Sequence, residues 1–546
     1  MFFDFLSVEF YLIVIISIFN AFLINMCLNR GFVALQLGEY KNKSYFEYFK
    51  DTFYQYFGRI VFICALSLCF SIFVCLIFGV LEISLYLTFV SIVAYIYYVL
   101  DFIDKDKTRE KRTELKFTKR FLRLYVLNLI LNFIISYFLL VISVNYIDYL
   151  MYGMVCLTLP LSFFVLPLSN LILKPFERLI KLNYKRKAKK KLSSYPNLVK
   201  IAITGSYGKT STKFILKTIL SAKYNVCASP SSYNTPMGLT KTILNNLEPY
   251  HDIFIAEMGA SVKNDIKELC DLVNPSIGII TAVGNSHLKT FKTMENLKKT
   301  KFQLVESVQS LNGLMVFNAD NETACDFYKM AKCNKLSTST VNFNTDTFAM
   351  DIVMNESGTS FTLYTKKGFC KCSTKLVGRH NIENILLAVS VAIELNLSLK
   401  EIQKAIQLLE PIKHRLELKK QDNYYILDDA FNSNAVGAKN ALEVLSHFKG
   451  KKIVVTPGIV ELGDDAFEEN LKFAKRVARV ADVCIVVNKV NELAFKQGLE
   501  DKIKSYYAKN FNNAIYYLRE ELEKDACVLF ENDLPDNFIW KIRLNI

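Results

Sequence analysis

The hydrophobic pattern divides the chain into two unlike parts. Residues 1–173 hold five uninterrupted apolar runs, Phe10–Leu28, Ile60–Leu81, Ile83–Leu100, Leu124–Tyr146 and Tyr149–Leu173. Each has 18 or more residues and no charged side chain, about what a helix needs to cross a hydrocarbon core of roughly 30 Å. From about residue 197 the pattern changes. Short β-rich runs (LVKIAIT, DIFIAEMGA, SIGIITAVG, GLMVFNAD) alternate with segments of helical period such as KFILKTILSA and NIENILLAVSVAIEL, as in α/β proteins. Between them, Thr338 to Lys375 is polar and alternating, which predicts hairpins. A second α/β pattern begins after Arg415 with YYILDDA, KKIVVTPG and ADVCIVVN. The expected architecture is therefore an α-helical membrane region of about five spans followed by two α/β domains. The first is of P-loop type and the last Rossmann-like. The boundaries read as 1–173 for the spans, 174–196 for a basic juxtamembrane linker, 197–412 for the central domain and 413–546 for the C-terminal domain.

Charge sharpens this picture. The connection between runs one and two carries Arg30, Lys41, Lys43, Lys50 and Arg59, and that between runs three and four carries nine Lys/Arg from Lys105 to Arg123. The other short connections carry none. By the positive-inside rule the N-terminus is expected outside, and everything after Leu173 in the cytoplasm of a multi-pass protein of the inner (cytoplasmic) membrane. A leader peptide fits poorly, because no base precedes the first run and the runs recur. Lys174 to Lys191 then holds nine basic residues and one acid. A stretch like this beside a membrane exit favours anionic lipid as its partner over nucleic acid. The net charge is +15. The 13 cysteines are scattered, several inside apolar runs, and the one close pair in the polar half, Cys370 and Cys372, is C-x-C. That favours reduced, scattered thiols over a zinc site or a disulfide framework.

The chemistry centres on ITGSYGKTST, Ile203 to Thr212. A strand, a glycine turn and a helix aim backbone N–H groups and a helix N-terminus at an anion. Counting back from Gly208-Lys209-Thr210, the usual leading glycine falls on Ile203, so this loop is shortened, with Gly205 leading instead. Lys209 is placed to neutralise phosphate charge, and the Thr210 hydroxyl to ligate Mg²⁺. Glu257 ends an apolar strand and His287 follows another. Polar groups at strand tips of an open sheet face the ligand crevice.

TGSYGKTST, AEMGA, GNSHL, GRHNIENILLA, HRLE and DDAFNSN occur in that order from about Asn197 onward. Together they resemble the Mur ligases of peptidoglycan synthesis, and within that family the MurF type. The resemblance implies an ATP-dependent acid–amino-acid ligase that adds D-Ala-D-Ala to a muramoyl tripeptide through an acyl phosphate. Its substrate would be UDP-linked or lipid-linked. Catalytic roles would fall to Lys209, Glu257, His287 and Lys301. ATP would be held by Thr204, Gly205, Gly208, Lys209, Thr210, Ser211, Asn381, Asn384, Arg415 and Asp429. Mg²⁺ would be held by Thr210, Glu257, His287 and Lys301, the last carbamylated so that a cation becomes an anionic ligand. Asn234, Asn432 and Asn434 would contact substrate. The chain departs from the pattern at Thr235, where a second Asn is usual, at Gln303, where Glu is usual, and at Phe431, where Tyr is usual. Membrane segments also replace the usual N-terminal substrate domain. Two other readings follow from the same residues: a related ligase acting on another carboxylate, and an ATP-driven transporter or sensor.

Overall fold

Strand β1 (Val199–Thr204) lies inside a mixed sheet, flanked by strands on both edges, because Ile201, Ala202 and Ile203 put apolar side chains on both of its faces. Ile201 and Ile203 point to one core, with the helices Lys209–Leu220 and Arg379–Glu394. Ala202 points to another, with the helices Asp265–Val273 and Met294–Gln309. This alternation is the two-residue period of a strand covered on both sides. The remaining strands are β2 (Val226–Ala228), β3 (Ile253–Glu257), β4 (Ile277–Ile280), β5 (Leu314–Asn318), β6 (Asn334–Ser339), β7 (Thr347–Asn355), β8 (Gly358–Thr365) and β9 (Gly368–Thr374). Their order is β2-β3-β1-β4-β5-β6-β7-β8-β9. The sheet is parallel up to β7, and β7-β8-β9 close it as an antiparallel meander, the hairpins expected from the alternating polar stretch.

A second, six-stranded sheet has the order β10-β11-β15-β12-β13-β14. Its strands are β10 (Glu417–Lys420), β11 (Tyr424–Asp429), β12 (Lys452–Thr456), β13 (Val483–Val487), β14 (Lys504–Ala508) and β15 (Ala526–Glu531). Except for the antiparallel edge pair β10–β11 its ladders are parallel. The sequence reading missed β10, β14 and β15, although β15 is buried throughout and joins β11 to β12.

This is a computed structural model describing residues 8–52, 115–146, 158–230, 232–284, 291, 293–421, 423–430, 434–459, 465–487, 490–509 and 511–531. The chain divides into two units, Met1–Asn183 and Tyr184–Ile546.

The five-span expectation is overturned by the first unit. Among the described residues one helix, Lys119–Ile142, is long and apolar enough to cross a membrane. A second counts only if Ile13–Cys27 and Asn29–Leu37, bent by 50°, are taken as one span. The runs Ile60–Leu81 and Ile83–Leu100 lie outside the described residues. Hydropathy counts residue types in a row and is blind to breaks and continuations. Here the first run breaks at Leu28. The fifth continues into a 36-residue helix, Thr158–Ser193, that holds Pro167 and Pro175 and ends in the basic stretch. The orientation drawn from alternating loop charge presupposed the five spans.

Within this unit the buried polar groups pair with one another. Asn20 Nδ2 donates to Ser136 Oγ and Thr158 Oγ1, both at 2.9 Å, Asn128 Nδ2 to Asn25 Oδ1 at 2.6 Å, and Ser169 Oγ to Asn128 Oδ1 at 3.0 Å. Ile15, Phe19, Phe22, Val126, Ile130, Phe138 and Phe164 lie on the exposed side.

Candidate functional site

The loop between β1 and the helix Lys209–Leu220 takes its path because two positions exclude a side chain. A Cβ on Gly205 would lie 2.0 Å from Thr281 Oγ1, and φ at Gly208 is +80°, where a Cβ would meet Asn384 Oδ1 at 2.7 Å. Glycine alone fits both. Thr281, one residue beyond β4, fastens the loop by donating to the Tyr207 carbonyl at 2.6 Å. Gly208 caps the helix without a side-chain bond, which leaves the first-turn N–H groups facing the crevice.

Side chains from three elements converge at the C-terminal edge of β1. Register puts Ile203 beside Glu257, the last residue of β3. Glu257 Oε1 accepts from Thr210 Oγ1 at 3.0 Å and from Asn234 Nδ2 at 3.1 Å, and Oε2 faces Lys213 Nζ at 3.0 Å. Glu257 and Lys213 are both fully buried. Lys209 Nζ donates to the carbonyls of Gly205 and Ser206 at 2.8 and 2.9 Å. Burial pushes its pKa down to about 8, partly offset by Glu257 and deepened by Arg415. Lys301, on Met294–Gln309, is buried with its Nζ 3.4 Å from Thr204 Oγ1. Burial first, and the Lys209 charge second, hold its pKa well below the usual lysine range. Both effects favour the uncharged amine.

The second sheet brings Arg415 to this region. A small cleft is lined by Ser211, Phe214 and Ile215 of the loop helix, by Asn381, and by Leu409, Ile412 and Arg415 of the connecting segment. The turn carrying Arg415 is flanked by two non-glycine residues at positive φ, His414 at 62° and Leu416 at 48°, conformations that need outside support. Two adjacent acids at the end of β11 supply it. Asp429 Oδ1 accepts from Leu416 N at 3.0 Å, while Asp428 Oδ2 faces His414 Nδ1 and Lys419 Nζ, each at 2.9 Å. Burial raises the Asp429 pKa to about 6 against the opposing pull of the Leu416 N–H and Arg415. His414, Glu417 and Asp428 have the spacing of a metal-ligand group, but the Lys419 ammonium sits on both Glu417 and Asp428.

Several expected site residues are brought together: Thr204, Gly205, Gly208, Lys209, Thr210, Glu257 and Lys301 around the loop, and Ser211, Asn381 and Arg415 around the cleft. Asn384 sits against Gly208, its Oδ1 accepting from Thr212 at 3.0 Å, and Asn381 Nδ2 donates to the Val377 carbonyl at 2.8 Å. Asn234, expected at substrate, lies against Glu257. The Oδ1 of Asn434 caps the helix Ala435–Ser446 by accepting from Val436 N and Gly437 N. His287 and Asn432 lie outside the described residues. Sequence reasoning missed Lys213, Asp428 and His414. For Lys213 the signal was available: it stands four residues after Lys209, on the same helical face.

Comparison with known proteins agrees with this geometry. The family description "Mur ligase middle domain" matches residues 203–392, and "Mur ligase, glutamate ligase domain" matches residues 414–531. Among curated relatives, the UDP-N-acetylmuramoyl-tripeptide–D-alanyl-D-alanine ligase of Buchnera aphidicola subsp. Baizongia pistaciae is 30% identical over 272 residues, 49% of this chain and 58% of that protein. The Escherichia coli K12 enzyme of the same name is 29% identical over 268 residues, 49% and 59%. The chain thus spans less than two thirds of the length of these relatives. Two solved structures share the fold. MurF from Acinetobacter baumannii has a TM-score of 0.61 at 23% identity, over 66% of this chain and 80% of that one. MurF ligase from Thermotoga maritima in complex with ADP has a TM-score of 0.57 at 24% identity, over 64% and 80%. With two consecutive domains matched, and the residues of both meeting at one phosphate loop, the chain belongs to the Mur ligase family.

Proposed function

We propose that this protein is a MurF-type ligase that uses ATP to join D-Ala-D-Ala to the carboxylate of a UDP-muramoyl tripeptide. The observation that carries this reading is the convergence of Lys209, Thr210, Glu257 and buried Lys301 at the C-terminal edge of β1 and β3, with Arg415 brought to the loop helix from the second domain. The loop amides and Lys209 would bind and orient the γ-phosphoryl group as it moves to the acid. Arg415 would neutralise charge from the opposite domain, and closure of the two domains would exclude water from the activated acid. The amine of the dipeptide then displaces phosphate.

The donors present suit a hard divalent cation: the Thr210 hydroxyl and the Glu257 carboxylate are oxygen ligands 3.0 Å apart, as Mg²⁺ requires. When bound, Mg²⁺ would supply charge neutralisation of the transferring phosphoryl group. Lys301 fits carbamylation because carbon dioxide is captured by an uncharged amine, and burial favours that form here.

Contact with membrane lipid is supported by the first unit, whose buried Asn and Ser bond to one another while large apolar side chains face out. The basic stretch Lys174–Lys191 suits an anionic headgroup layer.

The test is phosphate release by the full chain with ATP, Mg²⁺, UDP-muramoyl tripeptide and D-Ala-D-Ala, leaving out each in turn. Release that needs all four, with amide product by mass, supports the reading. Amide product with a lipid-linked tripeptide only would replace the nucleotide-linked substrate, and no product with either would refute the MurF assignment. Flotation with vesicles containing anionic lipid tests the membrane contact, which is refuted if the protein stays in the dense fraction.

A further inference from the structure

The two oxygens of Glu257 have different partners. Oε1 accepts from two neutral donors, the Thr210 hydroxyl at 3.0 Å and the Asn234 amide at 3.1 Å. Oε2 faces the Lys213 ammonium at 3.0 Å in an ion pair from which solvent is excluded, with exposures of 0% for Lys213 and 1% for Glu257. Lys213 is held one turn beyond Lys209 on the loop helix, so the helix that presents its N-terminus to the crevice also anchors the strand-end carboxylate.

The two kinds of bond differ in how easily they yield. A hydroxyl rotates, and an amide gives up one of several bonds, so Oε1 can exchange neutral donors for a cation. Removing a buried ammonium from its carboxylate leaves an uncompensated charge, which is strongly unfavourable. Oε2 is therefore the fixed end and Oε1 the available one. We infer that Lys213 is a positioning residue: by pinning Oε2 of Glu257 it aims Oε1, beside Thr210 Oγ1, at the Mg²⁺ that accompanies ATP. The inference rests on the nucleotide-dependent ligase reading above. It assigns a role in that site to a buried lysine of the loop helix.

The test measures binding as well as activity. Full-length wild type, Lys213→Met and Lys213→Gln are titrated with a fluorescent ATP analogue in EDTA and then with Mg²⁺ at fixed nucleotide, and thermal unfolding is recorded for each. Methionine keeps the apolar stem without the ammonium, and glutamine keeps a neutral donor. The expected result is nucleotide affinity in EDTA within about twofold of wild type for both. The Mg²⁺ midpoint rises about tenfold in Lys213→Met, the low end of what loss of a residue supporting a metal ligand costs, and less in Lys213→Gln. Lowered unfolding temperatures with an unchanged Mg²⁺ midpoint overturn the inference, because Lys213 then only holds the core together. If Lys213→Met does not fold, the Lys213→Gln midpoint decides on the same criterion, and if neither folds the role is structural and the inference fails. Wild type that binds no nucleotide with or without Mg²⁺ overturns the ligase reading itself.

Discussion

Thr210 Oγ1 donates to Glu257 Oε1 at 3.0 Å, joining the first turn of the loop helix to the end of the neighbouring strand across 47 positions of sequence. Parallel pairing of β1 with β3 makes this possible, because both strands end at the same edge. Thr210→Val keeps the shape and removes the hydroxyl. Phosphate release is expected to fall by about a hundredfold or more, the scale of losing one preorganised polar group at a charged transition state. Thermal unfolding should stay within a few degrees of wild type, and near-normal turnover would show that Thr210 does no chemistry.

Lys301 is expected to work in modified form. Lys301→Ala should abolish turnover, and added short carboxylates should restore part of it by standing in for a carbamate. Wild type stripped of carbon dioxide at mildly acidic pH should lose activity and regain it with bicarbonate. Indifference to both treatments would leave Lys301 an unmodified buried amine.

The Asp429 pKa, raised to about 6 by burial, sets a pH dependence. Above that value the carboxylate is ionised, accepting from the Leu416 N–H and serving as the charge partner of Arg415. As pH falls through about 6 it takes up a proton, so kcat/KM should show an acid limb near there. For stability the sign is opposite. The folded pKa exceeds the ordinary 3.8, so the folded state binds more protons between about 4 and 6, and this contribution weakens as pH rises through that window. Asp429→Asn should remove the limb from the rate profile; its persistence assigns the limb to another group.

Asp428 holds His414 and Lys419 while its own side chain is fully buried. Asp428→Ala removes the buried acid of a partly buried ion pair and frees the turn around Arg415. The expected loss of stability is about 3 kcal/mol, read by denaturant unfolding, with a raised KM for ATP because Arg415 is no longer held. A stable variant with unchanged KM would mean the turn keeps its shape unaided.

Gly205→Ala places a methyl carbon 2.0 Å from Thr281 Oγ1, and the loop must move to admit it. Nucleotide binding should be lost while the helical circular dichroism signal of the full chain stays as in wild type. Normal binding would contradict the loop path described above.

Much of the α/β half was legible locally. LVKIAIT, DIFIAEMGA and ADVCIVVN are runs whose neighbours on both faces are apolar, and they form β1, β3 and β13. The shortened loop declared itself by two glycines and a lysine. What stayed hidden is what depends on partners distant in sequence. β15 is the short run ACVLFE near the end of the chain, yet it sits between β11 and β12. Asp428 and Asp429 are adjacent, yet one clamps His414 and Lys419 and the other the Leu416 N–H. The helical half was misread for the converse reason: apolar runs name residues that avoid water without saying where a helix bends or continues.

By itself the sequence determined the periods, the glycine positions and the residue types at the strand ends, because those follow from the backbone and from side-chain chemistry at each position. The tertiary structure alone decided that Lys213 reaches Glu257, that Lys301 loses its solvent and that Arg415 meets the loop helix. Each depends on distances across the fold, and burial and electrostatic coupling exist only once the chain has closed around them.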